Sequence, residues 1–299
     1  MSVLDSMQHT LVSLLCLFFL GTEAEASETG SPGPRLSGIV SLAEFKRAVL
    51  ESSSRSGSTA GWSVLAEGQR EGQLAVLEIH PDTATVKARL HAKAEPTELT
   101  LTNPAAKLPQ SSGIVLENAF LDPVLNLYAE FSGRTLLRSP TLPKVYVTVV
   151  AAVKDRAGAV QALQAALSEQ GIAAIPDGKK FLMIVRAQEA GTVAPRSDQI
   201  GSDGSNSESE LIPAGALSFP GTDINQVAMI YAELVGRKLD RGTPFPVSAN
   251  SVIRFRNQTP LTPMEARYAL DTVFGWAGLK MVPDGNDLIK PFPVSRKER

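Results

Sequence analysis

The sequence predicts an α+β fold: a short helix and β-rich N-terminal region, then two similar β-α-β-β-α-β-β domains. Three observations carry this. Residues 128–134 (YAEFSGR) recur as residues 231–237 (YAELVGR), an offset of 103 residues. Around each copy, apolar residues at helical three-and-four spacing alternate with β-branched runs, in the same order twice. Upstream, residues 74–79, 85–90 and 98–102 are strand-like runs, with turns supplied by His80-Pro81-Asp82-Thr83 and by residues 94–96.

A chain of 299 residues accommodates two or three small domains, and 43% hydrophobic with 20% charged residues is globular composition. The formal net charge of −2 gives no electrostatic reason to expect nucleic acid or an anionic membrane as partner.

Residues 1–26 read as a secretory signal peptide. Residues 11–20 (LVSLLCLFFL) form an apolar core too short to span a membrane comfortably, and Ala24-Glu25-Ala26 is an A-x-A cleavage pattern. Cleavage between Ala26 and Ser27 makes the protein exported and periplasmic, with association at the outer membrane within reach. Residues 1–10 carry no Lys or Arg, and retention of the segment as an anchor is the alternative. The one cysteine, Cys16, lies in this run, so the remaining chain can form no disulfide.

After a Pro/Gly-rich lead-in, residues 39–105 form the N-terminal region. Residues 41–50 (SLAEFKRAVL) predict a short helix, with Ser41 as N-cap and Glu44 placed for a capping box. A Ser/Gly stretch at 52–61 precedes the strands, and this small piece is expected to lean on its neighbours.

The first repeat spans 113–187 and the second 214–294. Leu121, Val124, Tyr128 and Phe131 make one helical stripe, matched by Ile224, Val227, Tyr231 and Leu234. Asp122-Pro123 and Thr222-Asp223 start these helices; Gly133 and Gly236 stop them. Ala159, Leu163 and Leu167 make the second stripe, matched by Ala266, Leu270 and Phe274 at an offset of 107 residues. Asp155 caps the first of these helices, and Thr262-Pro263-Met264-Glu265 is a capping box with proline at the first helical position. Ile175-Pro176-Asp177-Gly178 and Val282-Pro283-Asp284-Gly285 are the same tight turn between two closing strands. Between the repeats, residues 188–212 are rich in Ser, Gly, Asp and Asn and predict a flexible linker.

The repeat resembles the short N-terminal periplasmic domain of secretins, the outer-membrane ring channels of type II secretion and type IV pilus systems. The residues that carry the likeness are 124–138 (VLNLYAEFSGRTLLR), 145–149 (VYVTV) and 159–184 (AVQALQAALSEQGIAAIPDGKKFLMI). In the second copy the helices, glycines and hairpin are kept, while the strand Val252-Ile253-Arg254-Phe255 departs from the pattern. The resemblance implies a non-catalytic structural or adaptor role in protein transport, through protein–protein interaction with secretion or pilus envelope proteins, a secretin ring among them. No barrel-length run of alternating strands follows the second repeat, so the chain is not expected to be the pore. The piece at 74–102 is similar to the β-rich connector domain of inner-membrane secretion components.

The chemistry legible in the sequence is sparse. It contains no G-x-S-x-G, H-E-x-x-H, P-loop or G-x-G-x-x-G, so neither an enzyme nor a cofactor or metal is expected. His80 and His91 read as surface residues. Tyr128 and Tyr231 read as core residues with the hydroxyl at the rim. Glu130 with Arg134, and Glu233 with Arg237, sit four apart near a helix end. They read either as solvated pairs worth a few tenths of a kcal/mol or as a polar interface between ring subunits. The alternative to the adaptor reading is a periplasmic sensing or ligand-binding module, because a related short domain begins signalling outer-membrane transporters. A third reading is an enzyme whose site the sequence does not reveal.

Overall fold

The computed structural model describes residues 33–43, 45–52, 61–91, 94–102, 112–199, 211–240, 242–245 and 252–294. The fold is mixed α+β, as the periodicities predict. The expected signal segment, its cleavage site at Ala26 and Ser27, and Cys16 lie outside the described residues, as do residues 53–60.

The N-terminal region opens differently from expectation. Residues 41–50 are not a helix. Strand β1 (Arg35–Leu42) turns back through Ala43 into β2 (Phe45–Ser52), antiparallel, with Leu42 opposite Phe45. Ala43 has a positive φ of 42°, the conformation a two-residue hairpin loop demands. The helix-forming residues of this segment are overridden because both faces of the hairpin are buried. Val40, Leu42 and Val49 join one core, while Ile39, Ala48 and Leu50 join another. Strand β3 (Gly61–Leu65) adds to β2. Strands β4 (Arg70–Glu71), β5 (Leu74–His80), β6 (Thr85–Arg89) and β7 (Thr97–Thr100) make a second, antiparallel sheet where the strand runs were expected.

The expected boundary between 39–105 and 113–187 is bridged. Strand β8 (Gly113–Phe120) begins the first repeat and pairs antiparallel with β1, from Gly38–Leu116 to Ser41–Gly113. With β10 (Tyr146–Ala151) on its other edge, β8 completes one sheet of order β10-β8-β1-β2-β3. Gly38 makes the close approach possible: a Cβ there would lie 2.8 Å from the Val115 carbonyl oxygen and 2.5 Å from Leu116 Cδ2. Gly38→Ala is therefore expected to cost about 1–3 kcal/mol by overpacking. Denaturant unfolding measures it, and an unchanged midpoint would contradict this register.

The two repeats have the same element order and the same strand pairings. The first runs β8, α1 (Leu121–Ser132), β9 (Thr135–Arg138), β10, α2 (Arg156–Glu169), β11 (Ile172–Asp177), β12 (Phe181–Arg186). The second runs β13 (Ser218–Asp223), α3 (Ile224–Leu234), β14 (Lys238–Leu239), β15 (Val252–Arg256), α4 (Pro263–Ala277), β16 (Leu279–Asp284), β17 (Leu288–Pro293). In each, the first and third strands pair antiparallel, the second and last pair parallel, and the last two form a hairpin. The helix starts agree with the sequence at three of four places. Asp155 accepts from Gly158 N, Asp223 accepts from Asn225 N, and Thr262 with Glu265 forms the full capping box. The exception is α1, which starts at Leu121 after Phe120, with no side-chain cap.

The cores do not divide at the repeat boundary. Leu136, Leu182 and Ile184 face α1 and α2 within the first repeat's core. Leu137, Phe181 and Met183, on the opposite face of the same two strands, sit in the core of the second repeat with Ile253, Phe255, Leu270 and Phe274. The expected flexible linker 188–212 is corrected over its described part. Ala187–Thr192 and Ser197–Gln199 are 3-10 turns, and Val193 packs on the second core. Residues 200–210 lie outside the described residues.

Candidate functional site

Two buried polar side chains, Asp177 and Thr135, bond across the seam between the repeats. Asp177, at the end of β11, is fully buried. One carboxylate oxygen accepts from Arg196 N at 2.9 Å and Ser197 N at 2.8 Å; the other accepts from the Tyr268 hydroxyl on α4. Burial, together with donation to that carboxylate, pushes the Tyr268 phenol well above its ordinary value. Lys180 reaches Glu265 at 2.7 Å and the Pro260 carbonyl at 3.1 Å. Glu265 accepts from Thr262 N as well, so the capping box of α4 also anchors the first repeat. The buried Thr135 hydroxyl accepts from Gln258 N at 3.0 Å.

Beside this seam lies a cleft of about 120 Å³, lined by residues of both repeats. Asp122 lines it between two arginines. It lies 3.5 Å from Arg138 Nη1 through one oxygen and 3.2 Å from Arg254 Nε through the other. Arg138 also donates to Asn126 Oδ1 at 2.6 Å, and its side chain is only 12% exposed. Burial pulls the Arg138 guanidinium down to about 10; Asp122 opposes this and Arg254 adds to it. Lys144 lines the same cleft. The walls are apolar: Phe120, Leu121, Pro140, Leu142, Pro143, Val252 and Val273. Such an arrangement can hold an anion and cover its apolar part.

A third feature is the edge of the first sheet. Strand β10 has β8 on one side and no strand on the other among the described residues. Val147 and Val149 point into the core, while Tyr146 and Val150 on the outer face are 51% and 53% exposed. The Tyr146 ring meets Phe120 edge-on at 5.7 Å, and Phe120 stacks on Trp62 at 6.1 Å.

The pairs singled out in the sequence do not form. Glu130 turns to Arg47 on β2 instead of Arg134, so it ties the N-terminal hairpin to α1 and is not a free interface group. Arg134 donates its backbone N–H to Ser132 Oγ. Arg237 spans to the Gly285 and Leu288 carbonyls at 2.8 and 3.3 Å, closing the second repeat's hairpin, and Glu233 remains exposed. His80 makes a surface contact with Glu78 at 3.2 Å, and His91 is exposed. Tyr128 and Tyr231 are core residues, and Tyr231 donates to Asp271 at 2.7 Å. Among the described residues no group of three or more His, Cys, Asp or Glu could hold a metal, and no helix is long and apolar enough to cross a membrane.

Asp122, Arg138, Arg254 and Asp177 escaped the sequence reading. Asp122 was visible only as a helix start and Asp177 only as a turn residue. The one available signal was the departure of Val252-Ile253-Arg254-Phe255 from the repeat pattern, which places Arg254 at the cleft. No protein-family model matches the chain, and no curated protein matches it either.

Proposed function

We propose that this chain is a non-catalytic structural or adaptor protein of a type II secretion or type IV pilus-like envelope assembly, exported to the periplasm. It acts by pairing its strand edges with partner proteins. The observation that carries this reading is the five-stranded sheet. The chain builds it by laying β1 of one region along the edge of β8 of the next, so strand addition across segment boundaries is already its mode of assembly. At the far end of that sheet, β10 offers a further edge with an exposed Tyr146 and Val150 and no charged side chain among Tyr146, Thr148 and Val150 to blunt it. The resemblance of both repeats to a domain whose usual role is assembly points the same way.

The test is a photo-crosslinking amino acid in place of Tyr146, on the same exposed face of the strand, in cells of the native host, followed by mass spectrometry. The expected product joins this chain to a secretin, pilus or other envelope component. Val150→Lys, which places a charge on the edge without disturbing a core, should cut its yield at least tenfold while leaving the melting temperature unchanged. Recovery of the free monomer alone, or a yield indifferent to the lysine, would sink the reading.

A further inference from the structure

We propose that the cleft between the two repeats binds a small organic acid, with its carboxylate on Arg138, Arg254 and Lys144 and its apolar body against Leu121, Leu142 and Val273. This stands apart from the adaptor reading, since it needs no protein partner.

The charge balance is the first argument. Three cations line the cleft and one carboxylate answers them. Asp122 is divided, one oxygen to each arginine, and at 3.5 Å its contact with Arg138 is loose. Arg138 is nearly buried, so it gives up much of its hydration for half a counter-ion and one amide. The terminal nitrogens of Arg254 and the Lys144 ammonium have no acceptor among the described residues. A second carboxylate would complete the set: Arg254 offers its two terminal nitrogens, while Arg138, whose terminal nitrogens already reach Asn126 and Asp122, adds charge from a nearly buried position.

The second argument is position. Helix α1 starts at the cleft wall with no side-chain cap; its Leu121 N–H donates to the Val145 carbonyl and Pro123 has none, so the helix start adds only the positive end of its dipole beside the anion. This supports the cation cluster and would not define a site alone. The apolar walls, not the charges, select an organic acid over an inorganic anion.

The third argument is that the repeat architecture does not require the cluster. Asn225 stands in the second repeat where Asp122 stands in the first. Thr148 faces the same strand position in the first repeat as Arg254 in the second, judged by the β8–β10 and β13–β15 registers. Among the described residues these charges occur together only at this seam.

The experiment is a calorimetric titration of the full chain with sodium butyrate, with butylammonium and inorganic phosphate run in parallel. Butyrate is expected to bind saturably, butylammonium not at all, and phosphate more weakly than butyrate. Arg254→Gln and Lys144→Gln should each weaken butyrate about tenfold. Asp122→Asn removes the competing carboxylate and should tighten butyrate about tenfold, a gain that misfolding cannot mimic. Absence of saturable butyrate binding in both the unaltered protein and Asp122→Asn overturns the proposal. So does binding that ignores Arg254→Gln, or phosphate that binds more tightly than butyrate.

Discussion

Phe181→Ala is expected to lower the stability of the whole two-repeat unit by about 3–5 kcal/mol, the usual cost of emptying a buried aromatic site. Phe181 belongs by sequence to the last strand of the first repeat, and it is 1% exposed. Its ring nonetheless lies in the second repeat's core and meets Tyr268 of α4 edge-on at 5.8 Å. Two independently cored domains on a tether would lose stability only in one of them. A shared core loses it in both, so unaltered protein should unfold these repeats in one urea transition, whose midpoint shifts as a whole in the variant. Two well-separated transitions in the unaltered protein, or a loss below about 1 kcal/mol, would refute the shared core.

Asp177→Ala should be as costly, about 3–5 kcal/mol. The substitution strands two backbone N–H groups and a phenol that all point at one buried carboxylate. Tyr268→Phe removes one of those donors and should cost about 1.5–3 kcal/mol alone. In the Asp177→Ala background it should cost much less, because its partner is already gone; a double-mutant cycle by denaturant unfolding measures that coupling. The same carboxylate holds residues 196 and 197 against β11. Trypsin should therefore cut after Arg196 faster in Asp177→Ala than in the unaltered protein, at a temperature where both remain folded. Equal cleavage rates would show that this clasp does not restrain the segment.

What could be read from the sequence was local or periodic. The stripes through Tyr128 and Tyr231, the Thr262–Glu265 capping box and the two Pro-Asp-Gly turns are encoded within a few residues of each other. They gave the element order of both repeats. The failures are all non-local. Residues 45–50 (FKRAVL) hold good helix formers, and only burial of alternate positions in two different cores makes them a strand. Glu130 lies four residues from Arg134, yet Arg47, far away in the sequence, lies closer in space and takes it. Asp177 and Asp284 occupy the same turn. The first is clasped at the seam, while the second is a solvated partner of Lys290 at 3.3 Å. No property of the tetrapeptide separates them, because what differs is whether another repeat packs on top. The polarity of residues 188–199 suggested a tether for the same reason: short polar side chains look unburied until a buried acceptor for the backbone is known.

The pairing of β1 with β8 also has a consequence in time. One neighbour of β1 follows it directly, but the other is made only after a further seventy-odd residues have been added. At translation speeds of about 5–20 residues per second, a chain emerging from its N-terminal end would wait roughly 4–15 s before Gly113 to Leu116 become available. Through that interval the outer edge of β1, with Ile39 and Val40 on it, is an open template. The chain must either stay unfolded until it is complete or keep that edge occupied by something else. Long-range pairing of this kind closes slowly in a free chain as well, since the loop must be ordered before the contact stabilises it.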